Sequence, residues 1–428
     1  MLVLPAQLYP PTPAATGAKG RSFCSPPTTA AVAKLTSASS LRPFPAEIPA
    51  SASPLRLILL VIVSHASFAG ARLAISLQAL HLEGSAVTVG ILMSLLMLVP
   101  TFTAAHMGRW IDRIGYLRPT LCALVCLVAG ELAIALLQSL AGLALGSILV
   151  GTSFIVVNVA INNAIGHLAG PAGRARAFGL TAVGYSLSAL FGPMLAGAGI
   201  DRVGYPMTFA LLALLPVAAA MLLWQAPVVP RPEPPPATEK AAVMDLLRLP
   251  RLRAVLIVSS LVAAGWDLFT FLVPLHGARS GLSATAIGLV AGGFGIGSAS
   301  VRLALPWISR RVREWPLIGG ALVLSGLGYL VFPFCATLGT MLPLAVLLGA
   351  VLGCGQPVVM SLLHVNAPPQ RTGEAVGLRM AIIGLGQTVL PLAVGAFGSA
   401  LGLAPLFWGI AALMGAGGAY AARRQPSG

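Results

Sequence analysis

Three side chains that are charged at neutral pH, Arg72, Glu131 and Asp267, sit inside stretches otherwise built from Leu, Val, Ala, Ile and Gly. In hydrocarbon such a group costs on the order of 2.5–3.5 kcal/mol unless it is paired, protonated or hydrated. The chemistry open to these residues is therefore proton exchange, ion pairing and the holding of a charged ligand. Asp267 is a candidate for protonation and deprotonation in a working cycle, with Arg72 either pairing with it or holding an anionic group. A static salt bridge accounts for the pair equally well. Glu131 is a second proton-coupling candidate, and one hydrogen bond to a polar neighbour explains it too. Asn158 and Asn162 are four residues apart and so share a helix face. With His65, Trp266 and Gln356 they form a polar and aromatic set suited to lining a solute cavity, although each alone also fits an interhelical hydrogen bond or packing role.

Other chemistries are missing their residues. There is no phosphate-binding Gly-x-x-x-x-Gly-Lys loop, no His-Glu-x-x-His and no Gly-x-Ser-x-Gly elbow, so neither ATP-driven pumping nor hydrolysis is expected. No cluster with metal-ligand spacing is present, and no metal, cofactor or enzymatic activity is assigned. The five cysteines, Cys24, Cys122, Cys126, Cys335 and Cys354, form no framework. The last four lie in apolar segments and read as buried packing thiols.

The elements that must position these groups follow from composition. Of 428 residues, 57% are hydrophobic and 9% charged, too few charges to clothe a water-facing surface. From Leu55 onward, apolar runs of about 20 residues recur, each able to cross a hydrocarbon core of about 30 Å at 1.5 Å per residue. They fall near 57–80, 86–105, 119–138, 141–167, 176–200, 206–225, 254–276, 284–307, 316–335, 340–364, 375–398 and 403–422. The separation of the third from the fourth rests on Gln138, Ser139 and Gly142 alone. Residues 1–54, rich in Pro, Ala, Ser and Thr, read as a disordered tail, faintly like a transit peptide or an over-long start. Residues 55–225 form a first six-helix bundle, 226–250 a proline-rich solvated linker, and 251–424 a second bundle. The loops after even-numbered spans and the C-terminus hold sixteen Lys and Arg residues, against Arg202 and Arg279 after the odd ones. Both termini are thus expected in the cytoplasm of a plasma (inner) membrane. That asymmetry also accounts for the net charge of +15, and no nucleic-acid partner is expected.

The two halves repeat. Gly90 recurs 198 residues later as Gly288, Trp110-Ile111-x-Arg113 recurs at 197 as Trp307-Ile308-x-Arg310, and Gly179, Pro193 and Gly197 return at 198 as Gly377, Pro391 and Gly395. Two six-helix halves related by an axis along the membrane normal are expected. After the second span, Gly108, Asp112, Arg113 and Gly115 stand in Gly-Arg-Trp-Ile-Asp-Arg-Ile-Gly. This resembles the signature of the major facilitator superfamily between its second and third helices. The fifth span, Gly179-x8-Ser188-x3-Gly192-Pro193-x2-Ala196-Gly197, is similar to the exporter signature of that family's drug–proton antiporters, with Ser188 and Ala196 in place of glycines.

The resemblance implies an all-α membrane fold of about twelve helices in two pseudo-symmetric bundles. Helices 1, 4, 7 and 10 would surround a central cavity, and Asp112 and Arg113 would stabilise an outward-facing conformation. It further implies a monomer in the lipid bilayer whose partners are protons and a small-molecule substrate. The function expected is proton-coupled efflux of a small organic solute by alternating access. Uptake or facilitated diffusion is the alternative, and a non-transporting membrane sensor the third reading. Arg302 and Arg379, near the inner ends of spans 8 and 11, read as residues that snorkel to the interface.

Overall fold

A computed structural model describes residues 54–226, 243–368 and 371–424; the side chains at 104, 105, 109, 112, 171, 172, 175, 243 and 244 lie outside that description. The expected tail with Cys24, and most of the linker, therefore fall outside the described residues.

The described chain is helical throughout: α1 (Leu55–Glu83), α2 (Ala86–Ile114), α3 (Leu117–Leu137), α4 (Leu140–Leu168), α5 (Gly170–Leu212), α6 (Leu214–Trp224), α7 (Pro250–Arg279), α8 (Ala284–Ile308), α9 (Glu314–Val331), α10 (Leu338–Gly353), α11 (Gly355–Asn366), α12 (Thr372–Leu401) and α13 (Leu403–Ala422). Among the described residues, eleven helical segments are long and apolar enough to cross a membrane. One of them, Arg176–Trp224, has 49 residues, about 74 Å at 1.5 Å per residue and too long for one crossing. It breaks at Gly204, whose φ of 77° lies in the left-handed region that favours glycine. Two crossings result and the total is twelve. The turn between α3 and α4 is real: Gln138 adopts φ 42°, and the Ser139 hydroxyl caps α4 by accepting from Gly142 N at 3.2 Å. Near the end of the expected linker a short 3-10 turn, Val243–Arg248, buries Leu246 completely.

Large apolar side chains cover the outside, among them Leu136, Phe102 and Trp224, exposed by 79%, 71% and 92%. Such a surface is stable only against lipid. Cys122 and Cys126 sit on this outer face, which corrects the expectation of buried thiols; Cys335 and Cys354 are buried. Apolar positions on α3 satisfy lipid and core equally, so sequence could not assign their side.

The halves meet along two seams, α5 against α8 and α2 against α12. We name the end of the molecule that carries both described termini the inner end, and the opposite end the outer end. Toward the outer end the seams are tight. A Cβ on Gly288 would stand 2.5 Å from the Pro193 carbonyl oxygen, and one on Gly395 2.8 Å from that of Ala86. Here the Asp201 carboxylate, from the first half, accepts from Ala284 N at 3.2 Å and Thr285 N at 2.7 Å, capping α8 of the second half. Midway, Thr101 Oγ1 donates to the Gly384 carbonyl at 3.1 Å, and the Ser186 and Ser298 hydroxyls lie 3.3 Å apart. Gly179 and Gly377 lie on the same faces as Gly197 and Gly395, about five turns further in. Nothing stands within 4 Å of a Cβ built on either. The seams are closed at the outer end and open near Gly179 and Gly377 at the inner end.

Candidate functional site

Between α1, α5, α7 and α8 lies a cavity lined by His65, Phe68, Arg72, Trp266, Phe269 and Phe294 among others. Arg72 comes from the outer half of α1 and Asp267 from the middle of α7. Their side chains approach to 3.6 Å (Nη1 to Oδ1) and are largely buried. Gln387 of α12 also donates to Asp267 Oδ1, at 3.2 Å. Asp267 itself is not in the cavity wall; it lines a second cleft, between α7 and α12. The ion pair joins the two halves at the centre of the molecule.

The aromatic groups form two stacks, one per half. His65 packs edge-on to Tyr185 (centroids 4.9 Å apart) beside the stacked Phe68–Phe154 pair. Across the cavity Trp266 meets Phe294 edge-on, and Phe294 stacks on Phe269. The Asn pair lies one side chain back from the cavity: Asn158 and Asn162 both donate to the Tyr185 hydroxyl, at 2.7 and 2.9 Å. They hold Tyr185 in place, and so orient the ring against His65, without lining the space themselves. His65 Nδ1 has no hydrogen-bond partner among the described residues, which leaves it free toward a ligand or water.

Glu131 lies elsewhere. It is fully buried, and Ser67 of α1 donates to its Oε1 at 2.5 Å; Oε2 has no partner among the described residues. The geometry is that of a hydrogen bond tying α3 to α1 within one half. Gln356 accepts from Arg379 Nη2 at 3.3 Å and is likewise outside the central wall.

Two arginines read from sequence as snorkelling do not reach the interface. Arg379 is 3% exposed and donates to Ser259 Oγ at 2.6 Å. Arg302 donates to the Ala182 carbonyl at 2.7 Å and to Ser186 Oγ at 3.0 Å, across the seam between the halves. Its guanidinium also lies 5.7 Å from the Trp266 ring centroid. Neither has a carboxylate partner among the described residues. The sequence signal was depth. Arg302 is six residues from the end of α8 and Arg379 seven from the start of α12, roughly 10 Å along each axis.

The motif residues take varied positions. Gly115 ends α2 with φ 85°, Arg113 is exposed, and a Cβ on Gly108 would meet nothing within 4 Å; the Asp112 side chain lies outside the described residues. On α5, Ser188 donates to the Ile62 carbonyl at 2.7 Å. Gly192 packs on the Ala66 backbone, and Pro193 and Gly197 form the outer seam with α8.

Comparison with known proteins places this architecture. The Major Facilitator Superfamily pattern matches residues 57–373 and 255–427. Among solved structures, the peptide transporter POT in complex with sulfate aligns at 14% identity over 87% of this chain and 94% of its own, with a TM-score of 0.69. The nucleoside transporter NupG, as a point mutant, aligns at 13% identity over 87% and 100%, with a TM-score of 0.74. A bacterial homolog of the human lysosomal transporter Spinster, inward-facing and unoccupied, aligns at 16% over 86% and 94%, with a TM-score of 0.61. At these identities the likeness is one of fold. No curated protein matches the chain.

Proposed function

The chain belongs to the major facilitator superfamily, and from that premise we propose that it is a secondary active transporter that expels a small organic solute in exchange for protons by alternating access. One observation carries the reading: an ion pair from two different halves, Arg72–Asp267, lies between seams that are closed at the outer end and open at the inner end. A bond between the halves that depends on one carboxylate's charge is a natural point of coupling. Protonating Asp267 removes its attraction for Arg72, frees the guanidinium toward the cavity and loosens α1 from α7. Deprotonation restores the pair.

In this reading the solute occupies the space between the Phe68 and Phe294 stacks. His65, Arg72 and Trp266 supply polar contacts, and Asn158, Asn162 and Gln356 act through the side chains they hold. Glu131 is the second coupling candidate, with its unpartnered Oε2 as support. Gly108, Asp112, Arg113 and Gly115 would stabilise the outward-facing state, and the small residues Gly179, Ser188, Gly192 and Gly197 the packing on which α5 rocks. The Arg-rich inner loops support a cytoplasmic inner end in a plasma (inner) membrane; the working unit in this reading is a monomer.

The test is solute accumulation by everted vesicles from cells expressing the chain, with and without a proton ionophore. Antiport expects ionophore-sensitive accumulation that Asp267→Asn abolishes. Accumulation indifferent to the ionophore refutes proton coupling.

A further inference from the structure

The halves repeat at 198 residues, yet one helix pair breaks the symmetry. In the first half α1 and α5 press together along their length. A Cβ on Gly70 would lie 2.8 Å from the Gly192 carbonyl oxygen, and side chains on Gly184 and Gly192 would overlap Ile62 and the Ala66 backbone. Ser188 bonds across this seam to Ile62. Adding 198 to Gly184 and Gly192 of α5 gives Ile382 and Leu390 of α12, and Ser188 becomes Gly386. Branched side chains thus replace two of the glycines that allow close approach. The second-half pair, α7 and α12, touches far less.

What opens between them is a cleft. Its walls are apolar, with Leu261, Ala264, Ile382 and Leu390 among them. Leu385 and Val389, also in the wall, are 54% and 49% exposed, and they stand on the side of α12 turned away from α2, toward lipid. Asp267 and Gln387 form the deep end, hydrogen-bonded to each other. At the same shift the first-half counterpart of Gln387 is Ala189. The amide therefore occurs only in the half whose seam is open. Among the described residues of the cleft wall, Asp267 is the one charged group; Arg72 faces the central cavity instead.

We propose that this cleft is a lateral binding and entry site for amphiphilic organic cations drawn from the bilayer. The chain of the amphiphile lies on the Leu and Ile walls, and its ammonium group takes the place of Arg72 at Asp267. The walls are as apolar as the lipid that the chain leaves, so chain length changes binding little and the carboxylate selects the charge. The displaced Arg72 is released toward the central cavity, which connects occupancy of the cleft to the pair that holds the halves together. This deepens the transport reading above and rests on it only for the steps after binding.

The experiment uses the full chain in phosphatidylcholine nanodiscs, photolabelled with dodecylamine carrying a chain-end diazirine, and with the neutral dodecanol equivalent. Labels from the amine are expected on α7 and α12 around residues 260–264 and 382–390, competed by unlabelled dodecylamine. Asp267→Asn lowers amine labelling about tenfold, the loss of one partly desolvated charge contact, and leaves the alcohol unchanged. Gly386→Phe fills the cleft, since a Cβ there meets nothing closer than a Leu390 methyl at 3.9 Å, and suppresses both labels about tenfold. This variant and the wild-type label map decide the matter even if Asp267→Asn does not fold. Labels scattered evenly over the lipid-facing surface, or indifferent to Gly386→Phe, overturn the site. Equal labelling by amine and alcohol, insensitive to Asp267→Asn, overturns the cation and leaves a groove for lipid tails. Cleft labelling without transport of any solute refutes the transport reading alone; intact transport without cleft labelling refutes this site alone.

Discussion

Replacing Gly288 by alanine adds one methyl group to the outer seam, 2.5 Å from the Pro193 carbonyl oxygen and 3.3 Å from Gly197 Cα. Non-bonded heavy atoms rest about 3.5 Å apart or more, so α8 must withdraw from α5 by roughly 1 Å at this level. Overpacking of this kind costs about 1–3 kcal/mol, and the closed outer seam alone bears it. The gain in helix propensity, about 1 kcal/mol, belongs to both states and cancels. At 1.4 kcal/mol per factor of ten, the ratio of outer-open to outer-closed molecules rises about 5- to 150-fold. The assay is pulsed electron–electron distance measurement between spin labels at Arg202 and Ala400. These exposed positions are 198 residues apart at the outer ends of α5 and α12, and the native cysteines are replaced by serine. Gly288→Ala is expected to increase the long-distance population. Gly377→Ala is expected to decrease it, because a Cβ there meets nothing in the present conformation and encounters a partner helix only when the inner seam closes. If both variants move the distribution the same way, or neither moves it, the two-seam account is wrong.

Removing one member of the central ion pair strands the other. Asp267→Asn should cost about 3–5 kcal/mol of stability, read as a lower midpoint of thermal unfolding in detergent. Arg72→Gln on that background should recover most of the midpoint without recovering ionophore-sensitive transport. Ser67→Ala leaves Glu131 without its described hydrogen bond and should cost about 1–3 kcal/mol; if Glu131 is structural, Glu131→Gln keeps solute transport near the wild-type rate. Asp201→Ala uncaps α8 and should loosen the outer seam by about 0.5–2 kcal/mol, visible in the same spin-label distances. Burial works against ionisation of Asp201, but hydrogen bonds from Thr285 and Ala284 outweigh it and hold the carboxyl below its ordinary value of 3.8. A depressed carboxylate stabilises the closed seam above that value and loses the effect as pH falls through its lowered one. The outer distances should therefore be flat from about pH 5 to 8 and lengthen only in stronger acid.

The membrane fold was legible in the residues because a bilayer imposes a one-dimensional rule: every crossing must be apolar for about 20 residues, whatever packs against it. The count of twelve, the 198-residue repeat and the glycines of α5 all followed from that rule and from spacing. Asp267 and Arg72 stood out for the same reason, as charges where lipid forbids them. Direction was beyond the same rule. Cys122 and Cys126 were read as buried and face outward, since lipid and core accept the same side chains. Arg302 and Arg379 were read as snorkelling and turn inward to carbonyls and hydroxyls of other helices.

What only the tertiary structure decided is which helices touch and how closely. It separated Glu131, bonded to Ser67 within one half, from the cross-half ion pair. It found the Asp201 cap on α8 and the unequal seams of α1–α5 and α7–α12. These depend on the rotation of each helix about its axis and on the distance between axes. Both are set by side chains 64 or more residues apart, and no local period in the sequence reports them.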